Sequence, residues 1–185
     1  MFLKPLSLVL SLAGFATAMT ILPQSSIAQS ANQLTFFCGT SSGRPATMVR
    51  NNRKKTAEVI ISWTDNSFPP PWTPQERCEK VSARFQQFYD QKTLEYLKAG
   101  KLNGQNVLCV ATTIGGPCLP NGVLVTLKPD TDPQRTMQRL RNSQGRADGR
   151  PVELSGGNDG IVYKNGEAYL DMRQFFPDED NGRRW

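Results

Sequence analysis

The sequence predicts an α+β fold: a mainly antiparallel sheet of hairpins with two helices packed on it and two disulfides. Three observations carry that prediction. Asn103-Gly104 and Asn165-Gly166 each stand between apolar runs, and Asn-Gly is the pair that a two-residue hairpin turn selects. Two stretches repeat apolar residues at helical spacing, yet strands precede, separate and follow them, so no regular βαβ alternation builds a parallel sheet. Four cysteines, an even number, complete the pattern.

Each element follows from local chemistry. Residues 34–38 read as a short strand with Leu34, Phe36 and Cys38 on one face. The stretch from Gly39 to Gly43 breaks it, and residues 45–50 pair back as a hairpin. Residues 56–63 alternate, with Ala57, Val59, Ile61 and Trp63 one way and Glu58 and Ser62 the other. Pro69, Pro70 and Pro71 make residues 65–71 a loop. Thr73 then caps a helix, Pro74 takes the first position where its missing N–H is not needed, and Glu76 completes a capping box. Cys78, Val81, Phe85, Phe88 and Tyr89 recur at helical spacing over residues 74–92, and this aromatic stripe reads as core.

Strands over residues 94–97 and 105–111 connect through Gly100 and the Asn103-Gly104 turn. Residues 115–117 loop, and residues 123–127 form another buried strand. Asp132 caps and Pro133 opens a second helix, with Met137 and Leu140 inward and an end before Gly145. Residues 146–160 are polar and glycine-rich, a flexible loop. A last hairpin joins residues 161–163 to 168–170.

The chain divides into a signal peptide over 1–28, a single α+β domain over 29–176 and a loose tail over 177–185. Lys4 gives the leader its basic start, residues 6–18 its apolar stretch, and Ser26-Ile27-Ala28 small residues ahead of Gln29. Ala16-Thr17-Ala18 is a competing cleavage site. An uncleaved anchor is the alternative, but about 13 apolar residues are too few to cross roughly 30 Å of hydrocarbon. Removing the leader leaves 157 residues, the size of one domain. A mean hydropathy of -0.46 with 38% apolar residues suits a globular core rather than disorder. In an exported chain, Cys38, Cys78, Cys109 and Cys118 read as two disulfides with three possible pairings; Cys38–Cys78 with Cys109–Cys118 is favoured, because the second closes a short loop between strands. A four-thiolate zinc site would use close Cys-x-x-Cys pairs, which are absent from the sequence.

Charge is local. Without Lys4 the mature part holds 21 basic and 16 acidic residues, a net +5. Arg44, Arg50, Arg53, Lys54 and Lys55 precede the first acid, Glu58, and account for the whole excess. Residues 51–55 look like a turn tip. Its bland reading is a solvated surface; the sharper one is electrostatic contact by Arg50, Arg53, Lys54 and Lys55 with an unknown protein, an anionic lipid surface or a polyanionic glycan. Nucleic acid is disfavoured, because no aromatic residues interleave with these charges. A second run (Arg135, Arg139, Arg141, Arg146, Arg150) can pair with the acidic cluster Asp178, Glu179 and Asp180.

The chain has no histidine, which removes Ser-His-Asp, Cys-His and His-ligated metal chemistry. Glu76 and Glu79 could pair as carboxylates, but capping and the helix dipole explain acids there. Residues 156–160 are glycine-rich yet lack the lysine and Ser/Thr of a phosphate loop. Residues 178–182 lack the alternating ligands of a calcium loop. No catalytic residue, metal or cofactor is therefore assigned.

Several ordered runs carry a resemblance: Phe36-Phe37-Cys38, Pro45-Ala46-Thr47, Ile61-Ser62-Trp63, Trp72-Thr73-Pro74, then Arg77-Cys78 with residues 81–85. Asn103-Gly104, Val107-Leu108-Cys109, Cys118, residues 123–129 and Asp132-Pro133 continue it. In these the chain resembles the cyanobacterial circadian oscillating polypeptide (COP-type) domain family, over about residues 34–175. The resemblance implies a cyanobacterial cell, an exported or peripherally membrane-associated protein and no established biochemical activity. It brings no catalytic residues.

The expected function is that of an exported, disulfide-stabilised, non-enzymatic binding or structural module in the periplasm, thylakoid lumen or cell exterior. The rival is a small extracytoplasmic enzyme working through carboxylates near the loop between Trp63 and Trp72, or a glycan-binding protein.

Overall fold

The computed structural model describes residues 34–147 and 160–175; of residues 143–147 and 174–175 the backbone alone is described. The expected leader, most of the glycine-rich loop and the acidic tail lie outside the described residues. Eight strands form two antiparallel sheets. β1 (Leu34–Ser41), β2 (Arg44–Asn51) and β3 (Thr56–Ser62) make a meander in chain order, followed by α1 (Pro74–Asp90). β4 (Tyr96–Leu102), β5 (Gln105–Ala111), β6 (Val123–Thr126), α2 (Pro133–Ala147), β7 (Ile161–Lys164) and β8 (Glu167–Asp171) follow. The second sheet has the order β6-β5-β4-β8-β7, and a single turn, α3 (Met172–Phe175), closes the described chain.

The turn chemistry sets this topology. Asn103 and Gly104 have φ of 50° and 78°, and Asn165 and Gly166 have 53° and 74°, the left-handed pair that two-residue hairpins require. Ser42 and Gly43 adopt the same geometry between β1 and β2. Gly39 therefore does not end the first strand; it stays paired with Ala46. A Cβ on Gly39 would stand 2.8 Å from the Met48 sulfur, which that flexible side chain would have to move to relieve.

The alternation expected along β3 is shifted. Met48 pairs with Val59 and Thr47 with Ile61, so Ile60 is an extra residue, a β-bulge. Ile60 and Trp63 are buried, Val59 and Ile61 half-buried and Ala57 exposed. A period-two pattern cannot announce such an insertion.

α1 starts as its sequence predicts, with the Thr73 hydroxyl accepting the Glu76 amide at 3.2 Å. The capping box is only half made. The Thr73 amide donates to the Pro71 carbonyl, and the Glu76 carboxylate stands 3.9 Å from Lys80. Cys78, Val81, Phe85, Phe88 and Tyr89 all face the core. Phe85 stacks on Phe36 with centroids 5.4 Å apart, and burying each ring contributes roughly 2–3 kcal/mol. α1 lies on β1 and β2 and also shields the β1 edge. The Leu34 amide donates to the Tyr89 hydroxyl at 3.2 Å and the Phe36 amide to Gln86 Oε1 at 2.7 Å.

α2 opens on Asp132, whose carboxylate accepts the amides of Gln134 and Arg135. Met137 and Leu140 point inward against β3 and the second sheet, joining both sheets in one core. The helix runs through Gly145, past the expected end, and takes in Arg146.

Disulfides join Cys38 to Cys78 and Cys109 to Cys118, with Cα atoms 5.4 and 5.7 Å apart. The first ties α1 to β1. The second holds the loop after β5 over the outer face of the second sheet. Beneath that loop Lys98 reaches Glu167 at 2.8 Å and the Gly116 carbonyl at 3.3 Å, while the Tyr169 hydroxyl donates to Glu167 at 3.0 Å.

Candidate functional site

The β2–β3 turn carries the predicted electrostatic residues. Asn51 Oδ1 accepts the amides of Arg53 and Lys54, each at 3.0 Å, and Asn52 donates to the Thr35 hydroxyl at 2.9 Å. Lys55 completes the turn at a φ of 55°. Two asparagines thus fix a backbone that presents Arg53, Lys54 and Lys55 to solvent. Arg50 sits at the foot of the hairpin with its guanidinium 4.7 Å from the Phe37 ring centroid. It is held against the sheet rather than at the tip.

A second surface was not foreseen. Between α1 and the edge strand β6 runs a groove of about 630 Å³. One wall is α1, where Arg77, Lys80 and Arg84 fall at i, i+3 and i+7 beside the buried stripe. The other wall is β6 with the β4–β5 turn. Arg84 donates to the Val123 carbonyl at 3.0 Å, which fastens the helix to that strand. Trp72, 42% exposed, stands at the rim, with the Lys80 ammonium 6.0 Å from its ring centroid. Among the described residues no carboxylate lines this groove.

Arg77 divides the groove from a smaller cavity of about 330 Å³ beside α2. Its guanidinium lies 4.3 Å from the Phe68 centroid and 5.2 Å from that of Trp63, and it donates to the Asp65 carbonyl. Its Nε is buried with no acceptor among the described residues. Desolvation by burial lowers its pKa from the ordinary arginine value, against the pull of Asp65. Asp65 itself accepts from Lys128 at 2.5 Å and from the Ser67 amide at 2.8 Å, which hold its carboxyl well below the usual range. Trp63 is fixed from behind. Its indole N–H donates to the Thr47 hydroxyl at 3.0 Å, which also accepts from Ser82 at 3.1 Å.

The carboxylates weighed earlier are not brought together here. Glu76 faces Lys80, and Glu79 accepts from Gln75 at 2.7 Å; Asp65 is the one carboxylate lining the smaller cavity among the described residues. Among the described residues no group of three or more Cys, Asp or Glu is placed to hold a metal, and no helix is long and apolar enough to cross a membrane. Of the second arginine run, Arg135 meets Asp132 at 3.8 Å and Arg139 lines the smaller cavity. Pairing of that run with the acidic tail involves residues outside those described.

The sequence model of the circadian oscillating protein COP23 family matches residues 35–177. The chain belongs to that family. The COP23 region takes in both disulfides, the basic tip and the groove, so these features lie within the family's domain and not in an appendage. No curated protein and no solved structure matches the chain.

The groove was missed because its parts are far apart in sequence, from Trp63 to Thr126. One signal was available: three cations at helical spacing on α1, directly beside the predicted core stripe.

Proposed function

We propose that this COP23-family chain is an exported, disulfide-stabilised, non-enzymatic module that acts by electrostatic contact with an anionic partner. That partner is a protein, an anionic lipid surface or a polyanionic glycan, met in the periplasm, thylakoid lumen or cell exterior of a cyanobacterium. The observation that carries the reading is the β2–β3 tip: three consecutive exposed cations, ordered by Asn51, in a segment with no acid before Glu58. Two disulfides support an oxidising compartment, where such cross-links persist.

Near a charged surface each cation contributes about 1 kcal/mol, so three together are worth on the order of 100-fold in affinity. Sedimentation with phosphatidylglycerol vesicles, and crosslinking to protein partners in intact cells, test this. Arg53→Glu/Lys54→Glu/Lys55→Glu is expected to abolish association at low salt, and raised salt to weaken the wild type. If the triple variant associates unchanged at low salt, the tip has no part in the function.

A further inference from the structure

We propose that the groove between α1 and β6 binds an acidic oligosaccharide, a sugar chain bearing carboxylate or sulfate groups. Its electrostatics select an anion. Arg77, Lys80 and Arg84 line it, no carboxylate among the described residues does, and the Arg77 guanidinium stands between two rings, while Glu76, 3.9 Å from Lys80, stays outside the lining.

The remaining lining fits a sugar rather than a bare ion. Trp72 offers an exposed indole at the rim, a flat apolar face of the kind that packs against the C–H face of a pyranose ring. Across from it stand the carboxamides of Asn103, Gln105 and Asn121, which both donate and accept, as sugar hydroxyls do. Asn103 and Asn121 sit in left-handed turn positions, with φ of 50° and 56°, so their backbone is fixed before any ligand arrives. The Arg84 bond to the Val123 carbonyl fixes the distance between the walls. About 630 Å³ lies within the range of small-ligand sites. A single-stranded nucleic acid is a poorer fit. It uses a series of aromatic platforms, and the exposed rim offers one.

This site is separate from the basic tip, which lies at the other end of β3, roughly 20 Å away by strand length. The test uses the mature, oxidised protein and titration calorimetry with four probes: oligogalacturonate, sulfated dextran oligosaccharide, uncharged dextran oligosaccharide and a single-stranded oligonucleotide. The carboxylated and sulfated arms identify which anionic group is read. At least one acidic sugar is expected to bind, more weakly as salt rises. Trp72→Ala should weaken it up to about tenfold. Lys80→Gln should weaken it roughly threefold or more and flatten the salt dependence. Both side chains are exposed or at the rim, so both variants keep their fold, checked by melting temperature. The tip variant Arg53→Glu/Lys54→Glu/Lys55→Glu should bind these sugars as the wild type does. The proposal is overturned if neither acidic sugar binds, if uncharged dextran or the oligonucleotide binds as tightly, or if the tip variant loses binding while the groove variants keep it.

Discussion

Removing the two disulfides separately should destabilise the protein unequally, by amounts the loop lengths set. Cys38 and Cys78 are 40 residues apart, and Cys109 and Cys118 are 9 apart. On the chain-entropy account a cross-link destabilises the unfolded ensemble in proportion to the logarithm of the loop it closes. At 25 °C that gives about 4 kcal/mol for the first and about 2.5 kcal/mol for the second. Cys78 and Cys109 are both fully buried, so alanine at either leaves a similar small void and the difference between pairs survives. The loss of the first is also structural, because it frees α1 from β1. Guanidinium unfolding of Cys38→Ala/Cys78→Ala and Cys109→Ala/Cys118→Ala measures both. The first should lower the midpoint by about 1 M and the second by rather less. If the short loop costs more than the long one, or if both cost under about 1 kcal/mol, loop entropy is not what the disulfides contribute.

Three further outcomes follow from polar groups held by specific partners. Thr47→Val removes the acceptor shared by Trp63 and Ser82, leaves two buried donors unmatched, and should cost about 2–4 kcal/mol by urea unfolding; a loss under about 0.5 kcal/mol would mean that solvent or a neighbour replaces it. Lys98→Met strands the Glu167 carboxylate and should cost about 2–3 kcal/mol, whereas Lys98→Met/Glu167→Gln should recover at least half, since an uncompensated charge costs more than a missing pair. Burial pushes Lys98 down, but the Glu167 hydrogen bond and charge outweigh it and leave the pKa raised, so its contribution is kept below the ordinary lysine range and lost as pH rises above it. Asp65 behaves in the opposite sense. Its pKa is depressed by Lys128 and Ser67, so its contribution is present above the unfolded carboxylate value, near 3.9, and lost as pH falls below it. Melting temperature followed from pH 6 to 2 should fall less steeply in Asp65→Asn than in the wild type, and parallel curves would contradict the assignment.

The sequence made the local elements legible and concealed how they assemble. Asn-Gly turns, the Thr73-Pro74 and Asp132-Pro133 helix starts and the stripe from Cys78 to Tyr89 are decided by residues within a few positions of each other, and all are where the pattern put them. The favoured cysteine pairing also holds. What failed did so for tertiary reasons. Gly39 reads as a breaker in isolation, but its pairing with Ala46 across to β2 carries the strand through it. Ile60 bulges because β2 and β3 slip by one residue, which neither strand shows alone. The division into two sheets depends on β8 pairing with β4 across about 70 residues of chain. The groove needs all of this in place before Trp72 and Lys80 can face Asn121 across it.

The proposed role requires that the domain be exported and cross-linked in an oxidising compartment. The most direct measurement is intact mass spectrometry of the protein taken from its native cells into a thiol-alkylating quench without reductant. The prediction is a chain beginning at Gln29 that carries no alkyl groups and loses four hydrogens relative to the reduced sequence. A chain retaining Met1, with Cys38, Cys78, Cys109 and Cys118 all alkylated, would contradict it.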